Sequence, residues 1–209
     1  IINGMPGQPA FTWFNNCGSS LGVSLTDPTG SESSAASSLS INNTGNIHSA
    51  DNYILNRKEF KNIKKFLTKH CKNYLDTVIC PHNDLELYIT QSWLNYTEAN
   101  EYHHKHEHPN SVVSGVLYLD ADEVNDKILF TSSRAYQLTA PVVSKKEFNP
   151  WNSETWWFPV ETGDLFMFPS STTHQVETKK GNNTRISLAF NTFYKGILGE
   201  KERLTELIL

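Results

Sequence analysis

Cysteine is scarce in this chain. The 209 residues carry three, Cys17, Cys71 and Cys80, odd in number and far apart. Such spacing excludes a disulfide framework and favours a reducing compartment. Long apolar runs are missing as well. None approaches the roughly 18 residues needed to cross a bilayer, and the first residues lack a basic stretch followed by an apolar one. The chain therefore reads as soluble and cytoplasmic. Charge of one sign is also lacking: 18 Lys and Arg stand against 22 Asp and Glu, a formal net charge of -4. No polyanion-binding field follows from that balance, so the expected partner is a small-molecule or peptidyl substrate rather than nucleic acid or a membrane. There is no P-loop, no Gly-rich dinucleotide fingerprint and no repeat of fixed period. Oligomeric state stays open, a homodimer included.

What is present divides the chain unevenly. Residues 1–50 are rich in Gly, Ser, Thr and Asn, with "TGSESSAASSLSINNTGN" offering few large apolar groups to offset the entropy of ordering. They read as an N-terminal arm, and residues 51–209 as the folded domain. "FTWF" (11–14) supplies the arm with aromatic anchors. From Asn56 to Leu75, Phe60, Ile63, Phe66, Leu67, His70 and Tyr74 recur at spacings of three and four, which predicts one amphipathic helix. Its lysines form the solvated face.

Strand patterns follow. "DLELYITQSWLNY" alternates Leu85, Leu87 and Ile89 against Glu86, Tyr88 and Thr90. "SVVSGVLYLD", "KILFTSS", "GDLFMFPSS", "HQVETKK" and "RISLAFNTFY" are each short, β-branched or aromatic, and bounded by turn residues. The terminal "GEKERLTELIL" fits a short helix. One helix before many short strands indicates a mainly β protein, an antiparallel sandwich or jelly roll with helical support on one sheet. Between two of these strands, "YQLTAPVVSKKEFNPWNSETWWFPVETGD" holds Trp151, Trp156, Trp157 and Phe158 among prolines, and suits a lid or substrate wall.

The densest chemistry is "EYHHKHEHPN", with His103, His104, His106 and His108. In a regular strand His104, His106 and His108 project to one face and His103 to the other. Any neighbouring pair among the three suits a metal that prefers imidazole, such as Fe, Zn, Ni or Cu, if a distant ligand closes the set. His174, in "PSSTTHQVE", is the best-placed candidate. His70 falls on the helix's apolar stripe, His82 in a turn and His48 in the N-terminal region, which makes them poorer choices. Eleven residues after His174, "RISLAFN" sets Arg185, Ser187, Ala189 and Asn191 on one face against Ile186, Leu188 and Phe190 on the other. If the apolar face packs on the helix, Arg185 looks inward and needs an anionic partner, for which a carboxylate fits its planar guanidinium.

Three blocks in this order, "HEHPNSVVSGVLYL", "GDLFMFPSSTTHQVE" and "RISLAFN", with "SWLNY" upstream, resemble the Fe(II)- and 2-oxoglutarate-dependent oxygenases. The similarity is to a branch of putative oxygenases distantly related to prolyl 4-hydroxylases, and it spans about Leu85 to Phe193. The resemblance implies a double-stranded β-helix (jelly roll, cupin-like) with supporting α-helices on one sheet. It implies Fe(II), 2-oxoglutarate and O₂ as cofactor and co-substrates, and hydroxylation of a C–H bond with release of succinate and CO₂. Carried over by motif, the iron site falls on His106, His108 and His174, and the 2-oxoglutarate carboxylate on Arg185 with Ser187. Tyr118 matches a tyrosine that contacts the co-substrate, and Asn95 and Asn191 are site-lining amides. One departure stands out: where most of the superfamily has a carboxylate ligand, this chain has His108, and Glu107 belongs to the opposite face of a strand. Two rivals share the same histidines: a cupin-type isomerase or 2-oxoglutarate-independent dioxygenase, and a jelly-roll binding module.

Overall fold

The computed structural model describes residues 12–14, 40–42, 45–131, 148–150 and 153–209, the first two segments as backbone only. Trp151, Cys17 and most of the Ser-rich run fall outside these residues. In chain order the strands are β1 (Thr12–Phe14), β2 (Ser40–Asn42), β3 (Ile47–Ser49), β4 (Leu85–Thr97), β5 (His103–His106), β6 (Val113–Asp120), β7 (Lys127–Thr131), β8 (Thr155–Pro159), β9 (Leu165–Pro169), β10 (Thr173–Val176), β11 (Arg185–Leu198) and β12 (Leu207–Ile208). The helix α1 (Lys61–Tyr74) precedes β4.

Two antiparallel sheets result. The larger has the order β1-β9-β6-β11-β4-β3-β2, with β12 added to β11, and the smaller has the order β5-β10-β7-β8. β1, β2 and β3, all before residue 50, thus pair into the larger sheet. Trp156, Trp157 and Phe158, which the sequence places in a lid-like insertion, lie on β8 and pair with β7. The terminal segment is a turn followed by β12 rather than the expected helix. Its apolar residues Leu204, Leu207 and Ile208 are exposed, and the backbone pairs Ile197 with Ile208. A helix of that length with no core to cover has little to hold it together.

The larger sheet buries both faces, each against a different layer. On one side α1 inserts Ile63, Leu67, Cys71 and Tyr74 against Leu87 and Leu94 of β4, Val113 and Leu117 of β6, Leu165 and Met167 of β9, and Leu188 and Phe190 of β11. The period-3.6 stripe of the helix meets the period-2 stripes of the strands, which is what aligns them. On the other side Tyr118, Phe166 and Phe168 face Ile128, Phe130 and Phe158 of the smaller sheet. Among the described residues, fifteen buried apolar side chains of the first layer and aromatic edge contacts in the second, such as Phe130 on Phe168 at 5.0 Å, make this a packed double-stranded β-helix with a helix on one sheet.

One irregularity redirects β4. In its pairing with β11, Gln91 faces Asn191 but the next partners are Ile89 and Thr192, so Thr90 is an extra residue. The Thr90 hydroxyl donates to the Asn191 carbonyl at 3.1 Å and fastens the bulge. Leu85, Leu87 and Ile89 pack with the helix, and a regular strand would send Trp93 and Asn95 the same way. The bulge flips the alternation. Leu94 and Tyr96 now join the helix layer, while Trp93, Asn95 and Thr97 look between the sheets.

Candidate functional site

The smaller sheet carries the histidines. β10 runs between β5 and β7 and sets His174 opposite both His106 and Phe130. His108 lies just past β5, where its backbone N–H donates to the Ser170 carbonyl at 3.0 Å. The three rings converge: centroids are 4.2 Å apart for His106 and His174, 4.9 Å for His106 and His108, and 5.0 Å for His108 and His174. One nitrogen from each lies within 4.8 Å of the others.

Two of the three rings have their second nitrogen already committed. Nδ1 of His106 is 2.8 Å from the His104 carbonyl, and Nδ1 of His174 is 2.9 Å from the Thr172 carbonyl. A carbonyl accepts only, so each Nδ1 carries the proton and each Nε2 is left with its lone pair, the usual arrangement around a protein-bound metal. The Nε2 atoms of His108 and His174 stand 3.2 Å apart. Two nitrogens each about 2.1 Å from one ion, at 90–110°, would be separated by about 3.0–3.4 Å. The set therefore fits a divalent metal with three imidazole ligands. Burial depresses the basicity of all three, to about 4 for His108 and well below the ordinary range for His174, with His106 beside each adding to the effect. Burial also lowers His106. Protons do not compete for these ligands near neutral pH. Glu107 is exposed and accepts from the Thr173 hydroxyl, on the side away from the cluster.

Arg185, Ser187, Asn95 and Tyr118 form the opposite wall of the same pocket. The register across three strands brings them side by side: Ser187 on β11 faces Asn95 on β4 and Tyr118 on β6, and Arg185 faces Thr97. Tyr118 is fully buried, edge-on to Phe166, and its burial raises the phenol's pKa, so it stays protonated. Asn191 is one step removed from the wall, since its side-chain Oδ1 accepts from the Ser114 hydroxyl, and Ser114 is the residue that reaches the pocket.

Arg185 has a partner that the sequence did not reveal. Its Nη1 donates to Asp126 Oδ1 at 3.3 Å, and Lys179 Nζ donates to both oxygens of the same carboxylate at 3.2 Å. Asp126 is 0%, Lys179 2% and Arg185 3% exposed. Two buried cations thus share one buried anion, so the triad itself carries one net positive charge. Asn46 and Asn95, both buried pocket residues, add side-chain amide atoms without any hydrogen-bond partner. Buried polar atoms in folded proteins are almost always hydrogen-bonded, so these call for a partner from the pocket. A small dianion meets both needs: a carboxylate near Arg185 balances the charge, and its other end reaches toward the histidines. Asp126 and Lys179 lie in irregular segments, and Asn46 precedes a three-residue strand, so no periodicity singles them out.

His103 departs from the expected placement. Val176 pairs with His103 and His174 with His106, so two residues of β5 stand against one of β10. The shift places His103 on the same side as His106, with their rings stacked at 4.5 Å and 12°.

Residues 91–191 match the family model of a putative 2OG-Fe(II) oxygenase. No curated protein matches the chain. Among solved structures, an oxidoreductase of the 2OG-Fe(II) oxygenase family from Burkholderia pseudomallei aligns with a TM-score of 0.51 at 13% identity, covering 76% of each chain. HygX from Streptomyces hygroscopicus, with nickel, 2-oxoglutarate and hygromycin B bound, aligns with a TM-score of 0.55 at 9% identity over 87% of this chain and 82% of its own. A prolyl hydroxylase from Trichoplax adhaerens, in complex with a hypoxia inducible factor peptide fragment, gives 0.52 at 13% over 88% and 83%. At such identities these structures share the fold.

Proposed function

We propose that the chain is an Fe(II)- and 2-oxoglutarate-dependent oxygenase that hydroxylates a C–H bond of a small-molecule or peptidyl substrate, a reading supported by the family-model match over residues 91–191. The observation that carries this reading is one pocket with three ligand nitrogens on one wall and an excess buried positive charge on the other. When bound, iron and 2-oxoglutarate supply the oxidation: substrate, O₂ and 2-oxoglutarate become hydroxylated substrate, succinate and CO₂.

The chain's own residues do the rest. His106, His108 and His174 hold the metal, with His106 and His174 oriented by their carbonyl bonds. Arg185, flanked by Ser187, receives the distal carboxylate of 2-oxoglutarate, and Asp126 fixes the guanidinium so that binding orders few new torsions. Tyr118 and Asn95 offer hydrogen bonds along the co-substrate, and Asn191 orients Ser114 behind it. Phe168 and Phe130 pack against His174 and keep water from its side of the metal. With three imidazoles the ligand set is one unit more positive than one containing a carboxylate, which tightens the hold on an anionic co-substrate. The cleft outside, walled by Gln91, Trp93 and Asn52, admits the substrate. Residues 51–209 constitute the oxygenase domain, 1–50 add strands to the edges of its larger sheet, and the enzyme works in the cytoplasm.

Succinate formation from 2-oxoglutarate tests the reading. His106→Ala and His174→Ala should each abolish metal-dependent turnover, while Arg185→Ala should weaken 2-oxoglutarate binding and leave the metal in place. Equal 2-oxoglutarate affinity in wild type and Arg185→Ala would overturn the placement of the co-substrate.

A further inference from the structure

Two of the histidines in "EYHHKHEHPN" take no part in the inner trio. His103 and His104 are half-buried, and both line two solvent-open clefts, one beside Gln175, Glu177 and Lys180 and the other beside His48 and Trp93. A regular strand would hold them apart. The register shift in β5 instead stacks His103 on His106, and the His104 ring lies 4.9 Å from His106 and 5.1 Å from His103. One nitrogen from each of His103, His104 and His106 lies within 4.8 Å of the others. Nδ1 of His104 is buried with no hydrogen-bond partner, a cost that a neighbouring cation removes.

We propose that His103, His104 and His106 form a second, outer metal site, which takes a divalent transition-metal ion in exclusion of the inner site. Drawing the three nitrogens, which lie within 4.8 Å of one another, to about 3.4 Å requires rotation about the Cβ–Cγ bonds, where histidine torsions are broad and soft. Exclusion follows from His106. Its Nδ1 is held by the His104 carbonyl, so Nε2 has one lone pair to give, to an inner ion with His108 and His174 or to an outer ion with His103 and His104. The ligand class is set by chemistry: neutral imidazoles suit divalent transition metals such as Zn(II), Cu(II) and Ni(II). The outer site opens to solvent, whereas the inner trio includes buried His174. An ion captured outside withdraws His106 from the inner set. Excess zinc or nickel therefore acts as an inhibitor that removes a ligand rather than competing for 2-oxoglutarate.

Co(II) titration of the full, tag-free chain, read by visible absorption and equilibrium dialysis, tests this independently of any oxygenase activity. Wild type should bind one equivalent. The double variant His108→Ala/His174→Ala should still bind one, with an altered spectrum, and His103→Ala/His104→Ala should bind one with the wild-type inner spectrum. His106→Ala should lose at least tenfold in affinity for either. Because His174 is buried, the single variant His108→Ala accompanies the double one, and circular dichroism confirms that both are folded. Loss of Co(II) binding in folded His108→Ala and in the double variant, to the level of His106→Ala, would overturn the outer site. Two equivalents bound to wild type would overturn the exclusion. Neither result bears on Arg185 or 2-oxoglutarate.

Discussion

Replacing Asp126 by Asn removes the one anion between two buried cations and leaves the shape nearly unchanged. At 3.2–3.3 Å and an effective dielectric near 20, the attraction of Asp126 to each of Lys179 and Arg185 is about 5 kcal/mol before desolvation. Desolvation of the three groups cancels much of that gain, and removing one partner of a buried pair costs about 3–5 kcal/mol because the remaining charges stay buried and unpaired. At about 2–4 °C per kcal/mol for a domain of this size, Asp126→Asn should melt roughly 6–20 °C below wild type. Urea unfolding followed by circular dichroism gives the free energy directly, and the loss should shrink when 2-oxoglutarate is added, since its carboxylate takes the vacated anionic place. Stability within 1 kcal/mol of wild type would refute the ion cluster. A stabilisation by 2-oxoglutarate no larger in Asp126→Asn than in wild type would refute the charge argument for the ligand.

Further outcomes follow from the same geometry. A Cβ at Gly115 would lie 2.2 Å from Phe190 Cζ, and that ring is fully buried and unable to swing away, so Gly115→Ala should cost about 1–3 kcal/mol, measured by urea unfolding. Leu67→Ala empties a fully buried site on α1 and should cost about 2–5 kcal/mol in the same assay, with the metal site intact. Chelator-treated protein should lose stability as pH falls below 6.5: His103 is held to about 3 and His108 to about 4 in the folded chain, so the unfolded chain takes up their protons first. The loss should run from pH 6.5 to about 3 in melting scans. A flat profile there would mean that these rings are solvated.

Legibility varied with local regularity. The helix, the six strand segments named from the sequence and the inward face of "RISLAFN" were readable because each buries one side, and burial on one side imprints a period. β4 was readable only up to Ile89. Its bulge at Thr90 has no compositional mark, yet it carries Asn95 from the helix layer into the pocket. The register shift in β5 likewise turned His103 toward His106. Lys179 carries no mark in the sequence, because a buried cation is betrayed by its partner and Asp126 lies 53 residues away. The terminal helix failed for a different reason: "ERLTELIL" has helical propensity, but nothing buries its apolar side, and pairing with β11 satisfied the backbone instead.

The central claim is that one pocket joins a three-histidine metal to 2-oxoglutarate. Anaerobic titration of the metal-free protein with Fe(II) and then 2-oxoglutarate tests it most directly. A visible charge-transfer band should appear only when both are present, be lost in His174→Ala, and require more 2-oxoglutarate in Arg185→Ala. No band in folded wild-type protein at saturating Fe(II) and 2-oxoglutarate would contradict the account.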